Sequence, residues 1–256
     1  MRSFALAAAL LLGTAAAAQA YPTALINVPT AGVDPFKSYH LGVYNYLQPS
    51  VVPTPNSPYS LTGGFSVGVS PYFDLAPGIS AGAVEVGVDG FFPYPSPLYP
   101  STGLVTDTSF LVQPHAKVGL LKETDVLPGI GLGAYYFSAP SLDTSANMVH
   151  FSLTKSVRVG DWDLGQGTVG LYHGNPASLG NDYNGFMAGY FHNLPAGAYA
   201  MADYTTGQHH LGGTNLAVGY SVNPMLSITG GYFLANEGRN IDKAFLFLDW
   251  VGQLPI

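Results

Sequence analysis

The sequence contains no cysteine among its 256 residues. This absence excludes a disulfide framework and a lipid-modified N-terminal cysteine. Charge is also scarce, because Asp, Glu, Lys and Arg together make up 9% of the chain, whereas soluble domains carry about 25%. A soluble domain needs charge on its outside. We therefore expect most of the surface of this chain to face something other than water.

Helical periodicity and basic charge are also nearly absent after the first twenty residues. The 32 glycines lie inside alternating segments, and the 20 prolines cluster between them, which is typical of strands and turns rather than helices. Lys and Arg number 8 against 15 Asp and Glu, for a net charge of −7. Without a basic patch, nucleic-acid binding is not expected.

The first twenty residues have the organisation of a secretory signal. Arg2 supplies a positive start, residues 5–12 form a short apolar run, and Ala18-Gln19-Ala20 is a small-x-small cleavage site. We therefore expect cleavage near Ala20-Tyr21 and an extracytoplasmic mature chain that begins at Tyr21.

Strict alternation of apolar and polar residues is the main structural signal in the rest of the chain. After Asn147, one parity carries Val149, Phe151 and Leu153, and the other carries polar side chains, which predicts a strand between two different solvents. Similar segments predict twelve strands, near 38–47, 59–70, 79–90, 107–120, 129–139, 147–158, 164–173, 183–193, 197–206, 211–222, 225–235 and 243–254. Pro114 conflicts with an inner position in its strand, so we expect a later strand start or a bulge there.

The connections between these strands alternate between long and short. Long Pro-, Ser- and Asn-rich connections follow the odd-numbered strands, and tight turns such as "NP" follow most even-numbered ones. A β-sandwich has no reason to keep this alternation, but an antiparallel barrel inserted in a membrane has. The sequence predicts an all-β fold, a closed antiparallel transmembrane β-barrel of about twelve strands.

The two parities assign each side chain to the lipid face or the lumen. Val86, Leu248 and Trp250 are assigned to lipid, and aromatic residues near strand ends, Tyr44, Tyr172 and Phe233 among them, to girdles at the water–lipid boundaries. The following residues are assigned to the lumen: Glu85, Asp89, Gln113, His115, Lys117, His150, Arg158, Asp203, Asn215 and Asp249.

These features together resemble bacterial outer-membrane β-barrel proteins of the porin-like type. The resemblance covers Ser38 to Ile256 and includes the C-terminal strand, where Leu248, Trp250 and Ile256 share one parity. It implies location in the bacterial outer membrane, with membrane lipid and the barrel-assembly machinery as partners. It divides the chain into a signal peptide (1–20), a periplasmic N-terminal segment (21–37) and a barrel (38–256). The oligomeric state stays open.

His150 and Ser152 are the sharpest catalytic candidate, because residues two apart on a strand point the same way and a histidine could activate a serine. Outer-membrane phospholipase A and lipid A deacylases carry His-x-Ser on a barrel strand. In this chain Leu153 follows the serine where those families have asparagine, and the pair has lumen parity. Lipid acyl-ester hydrolysis therefore stays an alternative, and the other interpretation is that both residues line the lumen.

The sequence thus predicts a narrow porin-like channel for small solutes or ions, without cofactor or metal. Acidic residues outnumber basic ones among the lumen assignments, which favours a mild cation preference. A second alternative is a barrel without transport that acts through surface loops at 48–58 and 91–106. A twelve-stranded barrel is intermediate in width, so sequence leaves an open and a plugged lumen equally allowed.

Overall fold

The protein, described here by a computed structural model, is a closed barrel of twelve antiparallel strands. The structure describes residues 24–47, 59–94, 111–135, 148–160, 162–209, 211–236 and 242–255. Both predictions, an all-β closed barrel and a strand number of twelve, are confirmed.

Fourteen strands are present in the described ranges, two of them outside the barrel. Their bounds are β1 Ser38–Leu47, β2 Tyr59–Ser70, β3 Phe73–Ala76, β4 Ile79–Ala81, β5 Ala83–Tyr94, β6 Leu111–Leu121, β7 Gly129–Tyr135, β8 Met148–Val159, β9 Trp162–Gly174, β10 Asn184–Asn193, β11 Ala198–Thr205, β12 Gly213–Asn223, β13 Leu226–Ala235 and β14 Lys243–Gln253. A one-turn helix spans Pro176–Leu179.

Each barrel strand pairs with its neighbours along the chain, and β1 closes the barrel against β14. The closing register sets Ser38 opposite Gln253 and Leu47 opposite Ala244. The barrel has no free edge, so every strand has a partner on both sides, as a sheet in lipid requires. In the part of the chain that the structure describes, no helix is both long and apolar enough to cross a membrane.

The predicted strand over 79–90 is wrong at its start. Residues Ile79–Ala81 pair instead with Phe73–Ala76 in a separate hairpin, and the barrel strand runs from Ala83 to Tyr94. Gly78 and Gly82 explain the break, because both adopt positive φ angles, of 75° and 86°. Such angles suit glycine and interrupt an extended strand on each side of β4.

Pro114 lies within β6 and pairs with Val88 of β5 without a bulge at that point. On the other side of β6, pairing with β7 covers Ala116 to Leu121 in the described residues. Pro114 therefore lies beyond the described β6–β7 ladder.

The two ends of the barrel differ, and we name them by their connections. The turn end carries both ends of the barrel chain, the β3–β4 hairpin and the short connections 122–128, 160–161, 194–197 and 224–225. The loop end is the opposite end, where residues 175–183 and the described parts of 206–212 and 236–242 lie; the connections 48–58, 95–110 and 136–147 lie outside the described residues.

The barrel surface is inverted relative to a soluble protein. Leu216 and Val218 point outward with 51% and 66% exposure, whereas Asn215, which has the opposite parity, is fully buried. On β8, Val149 and Phe151 are exposed, while His150 and Ser152 face inward and are buried. An apolar outer belt around a polar interior is stable in lipid and not in water, so the outer face is the lipid face.

Candidate functional site: the occupied lumen

Residues 24–37, the N-terminal plug, lie inside the barrel. The sequence assigns them to a periplasmic segment, but Leu25, Val28 and Ala31 are buried against inward-facing wall residues. The plug enters at the turn end, where Lys37 N donates to Gly68 O and Leu254 N donates to Lys37 O. It is continuous with β1, which begins at Ser38 at the same end.

The tip of the plug, residues 25–28, binds one carboxylate on β11. Asp203 Oδ2 accepts hydrogen bonds from the backbone N–H groups of Ile26 and Asn27, both at 2.8 Å, and of Val28 at 3.2 Å. Its other oxygen accepts from Asn215 Nδ2 at 2.6 Å. One buried wall carboxylate therefore satisfies three consecutive backbone donors that have no sheet partner.

The middle of the plug is held by hydroxyl groups of β8. Ala31 N donates to Thr154 Oγ1 at 2.8 Å, and Ser152 Oγ donates to Pro29 O at 2.9 Å. Gly131 of β7 makes room for this contact, because a Cβ atom there would lie 2.8 Å from the Ala31 Cα atom. At this point the wall therefore provides both polar partners and space for the backbone of the plug.

The base of the plug joins a buried charged group at the turn end. Asp34 N donates to Glu85 Oε2 at 2.8 Å, and Ser66 Oγ donates to Asp34 Oδ2 at 2.5 Å. The Lys117 ammonium lies 3.7 Å from Glu85 Oε2. Buried charges require partners of this kind, so the plug completes the polar contacts of Glu85.

Two histidine–aspartate pairs face the lumen on either side of these contacts. His115 Nδ1 lies 3.0 Å from Asp89 Oδ2, and His40 Nε2 lies 2.9 Å from Asp249 Oδ1. Both aspartates have sequence-assigned lumen positions, whereas His40 does not appear among the assignments. Its even parity in β1, opposite the exposed Leu41, was the signal that could have identified it.

Two of the residues that the sequence assigns to the lumen, Arg158 and Gln113, are not among the inward-facing side chains described above. Arg158 is exposed at the turn end, beyond an irregularity between Ser156 and Arg158 in the β8–β9 pairing. The irregularity shifts the alternation, so parity counted from His150 no longer gives its face. The side chain of Gln113 lies outside what the structure describes.

The His150–Ser152 pair is close but enclosed. Its Nδ1–Oγ distance is 3.1 Å, and exposure is 1% for His150 and 0% for Ser152. The serine hydroxyl donates to Pro29 O, so its proton is directed at the plug and not at the imidazole. Activation by histidine requires the serine proton to point at the imidazole, and this arrangement lacks that geometry.

Aromatic side chains fill much of the remaining interior. Tyr44 contacts Phe247 edge-on with ring centroids 4.8 Å apart, and Phe245 stacks on Phe247 at 4.6 Å. Tyr172 and Phe233 are also buried. The assignment of Tyr44, Tyr172 and Phe233 to the boundary girdles is therefore wrong, because their parity directs them inward.

The loop end is closed on one side by a hydrogen-bonded group around Tyr172 and His209. The Tyr172 hydroxyl lies 2.7 Å from His209 Nε2 and 2.8 Å from Thr206 O, and Leu211 N donates to His209 Nδ1 at 3.3 Å. With Nδ1 accepting, Nε2 carries the proton and the imidazole is neutral. Burial lowers the pKa of His209 below its ordinary value, because the charged form loses hydration there.

No protein-family model and no curated protein matches the sequence. Among solved structures, the barrel is similar to an outer membrane channel from Pseudomonas putida F1, with a TM-score of 0.52 and 11% identity over 86% of this chain and 96% of that one. It also matches outer membrane phospholipase A from Escherichia coli, with a TM-score of 0.46 and 10% identity over 95% of this chain and 97% of that one.

At these identities the likeness concerns the fold, and the score for the phospholipase is too low to relate the two sites. The fold is that of bacterial outer-membrane β-barrel proteins. Within that structural class, this chain is a twelve-stranded barrel whose described lumen contains its own N-terminal segment.

Proposed function

We propose that the protein is a narrow outer-membrane channel for small solutes or ions, and that the N-terminal plug is its gate. The observation that carries the proposal is the number of ionisable side chains on the wall around the plug. Glu85, Asp89, Lys117, Asp203 and Asp249 are directed at the lumen. Ionised groups are costly in a filled interior, but they are suited to a pore that fills with water once the plug leaves.

The way the plug is held also supports a gate. Apart from a bridge between Phe36 and Gly68, the described residues of the plug make no backbone ladder with the wall. Besides the burial of Leu25 and Val28, the plug is held by individual bonds between its backbone and wall side chains, each with a net contribution of about 1 kcal/mol. A segment held in this way can withdraw without breaking the barrel, because the twelve-stranded ladder is intact without it.

In this proposal the mature chain begins at Tyr21, after cleavage of a signal peptide over residues 1–20. Residues 21–23 would then be the whole of the chain that precedes the described plug. The gate would be the N-terminus of the mature protein, with the turn end in the periplasm and the loop end outside, as in barrels of this class.

A second candidate is a barrel without transport, and the occupied lumen favours it. If the plug never leaves, the surface loops at 48–58 and 91–106 carry the function, although residues 91–94 of the second loop belong to β5 and only the part from 95 onward can act as a loop. Hydrolysis of lipid esters is less well supported, because Ser152 is enclosed by the plug on the lumen side and does not reach the lipid face.

Planar-bilayer conductance of two proteins separates the candidates: the mature chain and the same chain without residues 21–35. We expect brief, rare openings from the mature chain and stable steps from the shortened one. Insertion is checked by protease protection, so that a protein that failed to insert is not mistaken for a closed channel. An inserted, shortened barrel that stays silent would rule out the channel and leave the surface-interaction barrel.

A further inference from the structure

The tip of the plug occupies a wall site that has a polar half and an apolar half. In the polar half, the Asp203 carboxylate faces three N–H donors from residues 26–28 and one from Asn215. Asp203 is 2% exposed and Asn215 is fully buried. Carboxylates in such surroundings bind groups that bring several N–H donors to one place.

Asn215 offers an acceptor that the plug does not use. In the described part of the chain, its Oδ1 atom is buried without a hydrogen-bond partner, although its Nδ2 atom donates to Asp203 Oδ1 at 2.6 Å. A buried carbonyl oxygen without a donor is unfavourable. The polar half therefore has one more acceptor than the plug tip satisfies.

The apolar half receives the side chains of Leu25 and Val28, which are 7% and 0% exposed. They belong to one hydrophobic cluster with Met187, Phe191 and Met201 of the wall. Gly189 leaves space here, because a Cβ atom at that position would overlap Leu25 Cδ1. The wall thus accepts an apolar body close to the carboxylate.

We infer that this wall site binds a small primary ammonium compound with an apolar tail, and that such a compound competes with the plug tip. An ammonium group has three N–H donors and a positive charge, so it can bond Asp203 and Asn215 Oδ1 together. Its hydrogen bonds to a carboxylate are stronger than those of neutral backbone N–H groups. The tail takes the space of Leu25 and Val28.

This inference rests on the proposed function and names the solute class of the same lumen. The compound binds only when the plug tip has left, so the plug reduces its apparent affinity. The apparent dissociation constant equals the intrinsic one divided by the fraction of barrels with a free site. An ammonium solute would thereby favour the open state of its own channel.

The test uses the full mature chain in detergent micelles with butylammonium chloride as the probe. Hydrogen exchange at the amides of Ile26, Asn27 and Val28 should accelerate at least tenfold on addition of the probe. Sodium butyrate and butanol, which keep the tail but lack the ammonium group, should leave exchange unchanged. Acceleration by all three compounds would indicate loosening by the tail alone and would overturn the inference.

Calorimetric titration of two variants locates the binding. Asp203→Asn should weaken butylammonium binding at least tenfold, whereas Asp249→Asn, a lumen carboxylate paired with His40 and without contact to the plug tip, should bind as the wild type does. Equal binding by both variants would overturn the assignment to Asp203. Both proteins are first shown to be folded by their β-type circular dichroism.

The chain without residues 21–35 separates this inference from the channel proposal. It should bind butylammonium at least tenfold more tightly than the full chain, because the competing tip is gone. A shortened barrel that conducts but does not bind the probe would overturn the inference and leave the channel standing. Tighter binding without conductance would support the site and rule out the channel.

Discussion

At the scale of single residues, the wall contacts of the plug decide what the inward-facing groups can do. Ser152 has the neighbour that a nucleophile needs, His150, yet its hydroxyl proton is directed at Pro29 O. The spacing of His150 and Ser152 therefore suggests catalysis, whereas their geometry in the structure shows a contact that holds the plug. Its effect should accordingly appear in plug docking and not in lipid turnover.

Substitution Ser152→Ala should weaken the docked plug by about 1 kcal/mol, the usual net contribution of one hydrogen bond. Hydrogen exchange at Ala31 measures this as an acceleration of roughly fivefold, since 1.4 kcal/mol is tenfold. Thr229→Ala is the control, because Thr229 is equally buried but its hydroxyl bonds the Tyr199 hydroxyl of the wall. Phospholipid hydrolysis by the wild type that is lost in Ser152→Ala would contradict this view and restore the enzyme alternative.

At the scale of elements, two segments outside the barrel ladder carry the expected motions. The plug depends on close approach to the wall at Gly68 and Gly131, where a Cβ atom would overlap Pro35 O or crowd Ala31. The loop 206–212 depends on a neutral imidazole at His209. A larger side chain at a glycine that contacts the plug should therefore displace the plug, and protonation of His209 should loosen the loop.

Substitution Gly131→Val should displace the middle of the plug, because two methyl groups would occupy the position of the Ala31 backbone. We expect at least a tenfold increase in open time in planar bilayers. Gly167→Val is the matched control, since a Cβ atom at Gly167 of β9 has no neighbour within 4 Å. Equal behaviour of the two variants would show that the plug does not limit conductance.

The loop 206–212 should lose order in acid. His209 has a lowered pKa in the folded loop, so its stabilising contribution is complete above the unfolded value of about 6.5 and declines as pH falls below it. The protection factors of the loop amides, which correct for the slower intrinsic exchange in acid, should therefore be smaller at pH 5 than at pH 7.5. His209→Gln should remove most of that difference, and an unchanged pH dependence in the variant would exclude His209 as its cause.

At the scale of the whole molecule, the charge of the lumen determines which ions the open barrel prefers. With the plug withdrawn, Glu85, Asp89, Asp203 and Asp249 face the lumen against Lys117, and Asp34 leaves with the plug. Fixed negative charge in a narrow pore raises the concentration of cations. The two histidines beside Asp89 and Asp249 offset part of it only when they are protonated.

The chain without residues 21–35 should therefore be cation-selective in a potassium chloride gradient. The reversal potential should have the sign that potassium permeation gives, and it should decrease with Asp203→Asn and Glu85→Gln together. A double substitution of outward residues, Leu216→Ala and Val218→Ala, keeps the lumen charge and should leave the potential unchanged. Anion selectivity, or no effect of the lumen substitutions, would contradict this assignment of the pore charge.

Alternation of residue type was sufficient to predict the barrel. Each strand repeats its apolar residues with a period of two, so the faces of β8, β12 and β14 follow from sequence, and closure follows because lipid leaves no backbone group unpaired. The same rule fails where the period is interrupted, as at the irregularity before Arg158 and at Gly82 before β5. For Tyr44 and Phe233, alternation gives the correct inward direction, whereas their position near strand ends wrongly suggests a girdle.

The plug could be known only from the tertiary structure. Residues 24–33 carry no charge, which is unusual for a tail in water and was the one signal present in the sequence. Their partners, Asp203 and Thr154, are more than a hundred residues away along the chain, and no local pattern links them. Periodicity determines which way a side chain points, but only the closed barrel determines what it meets on the other side of the lumen.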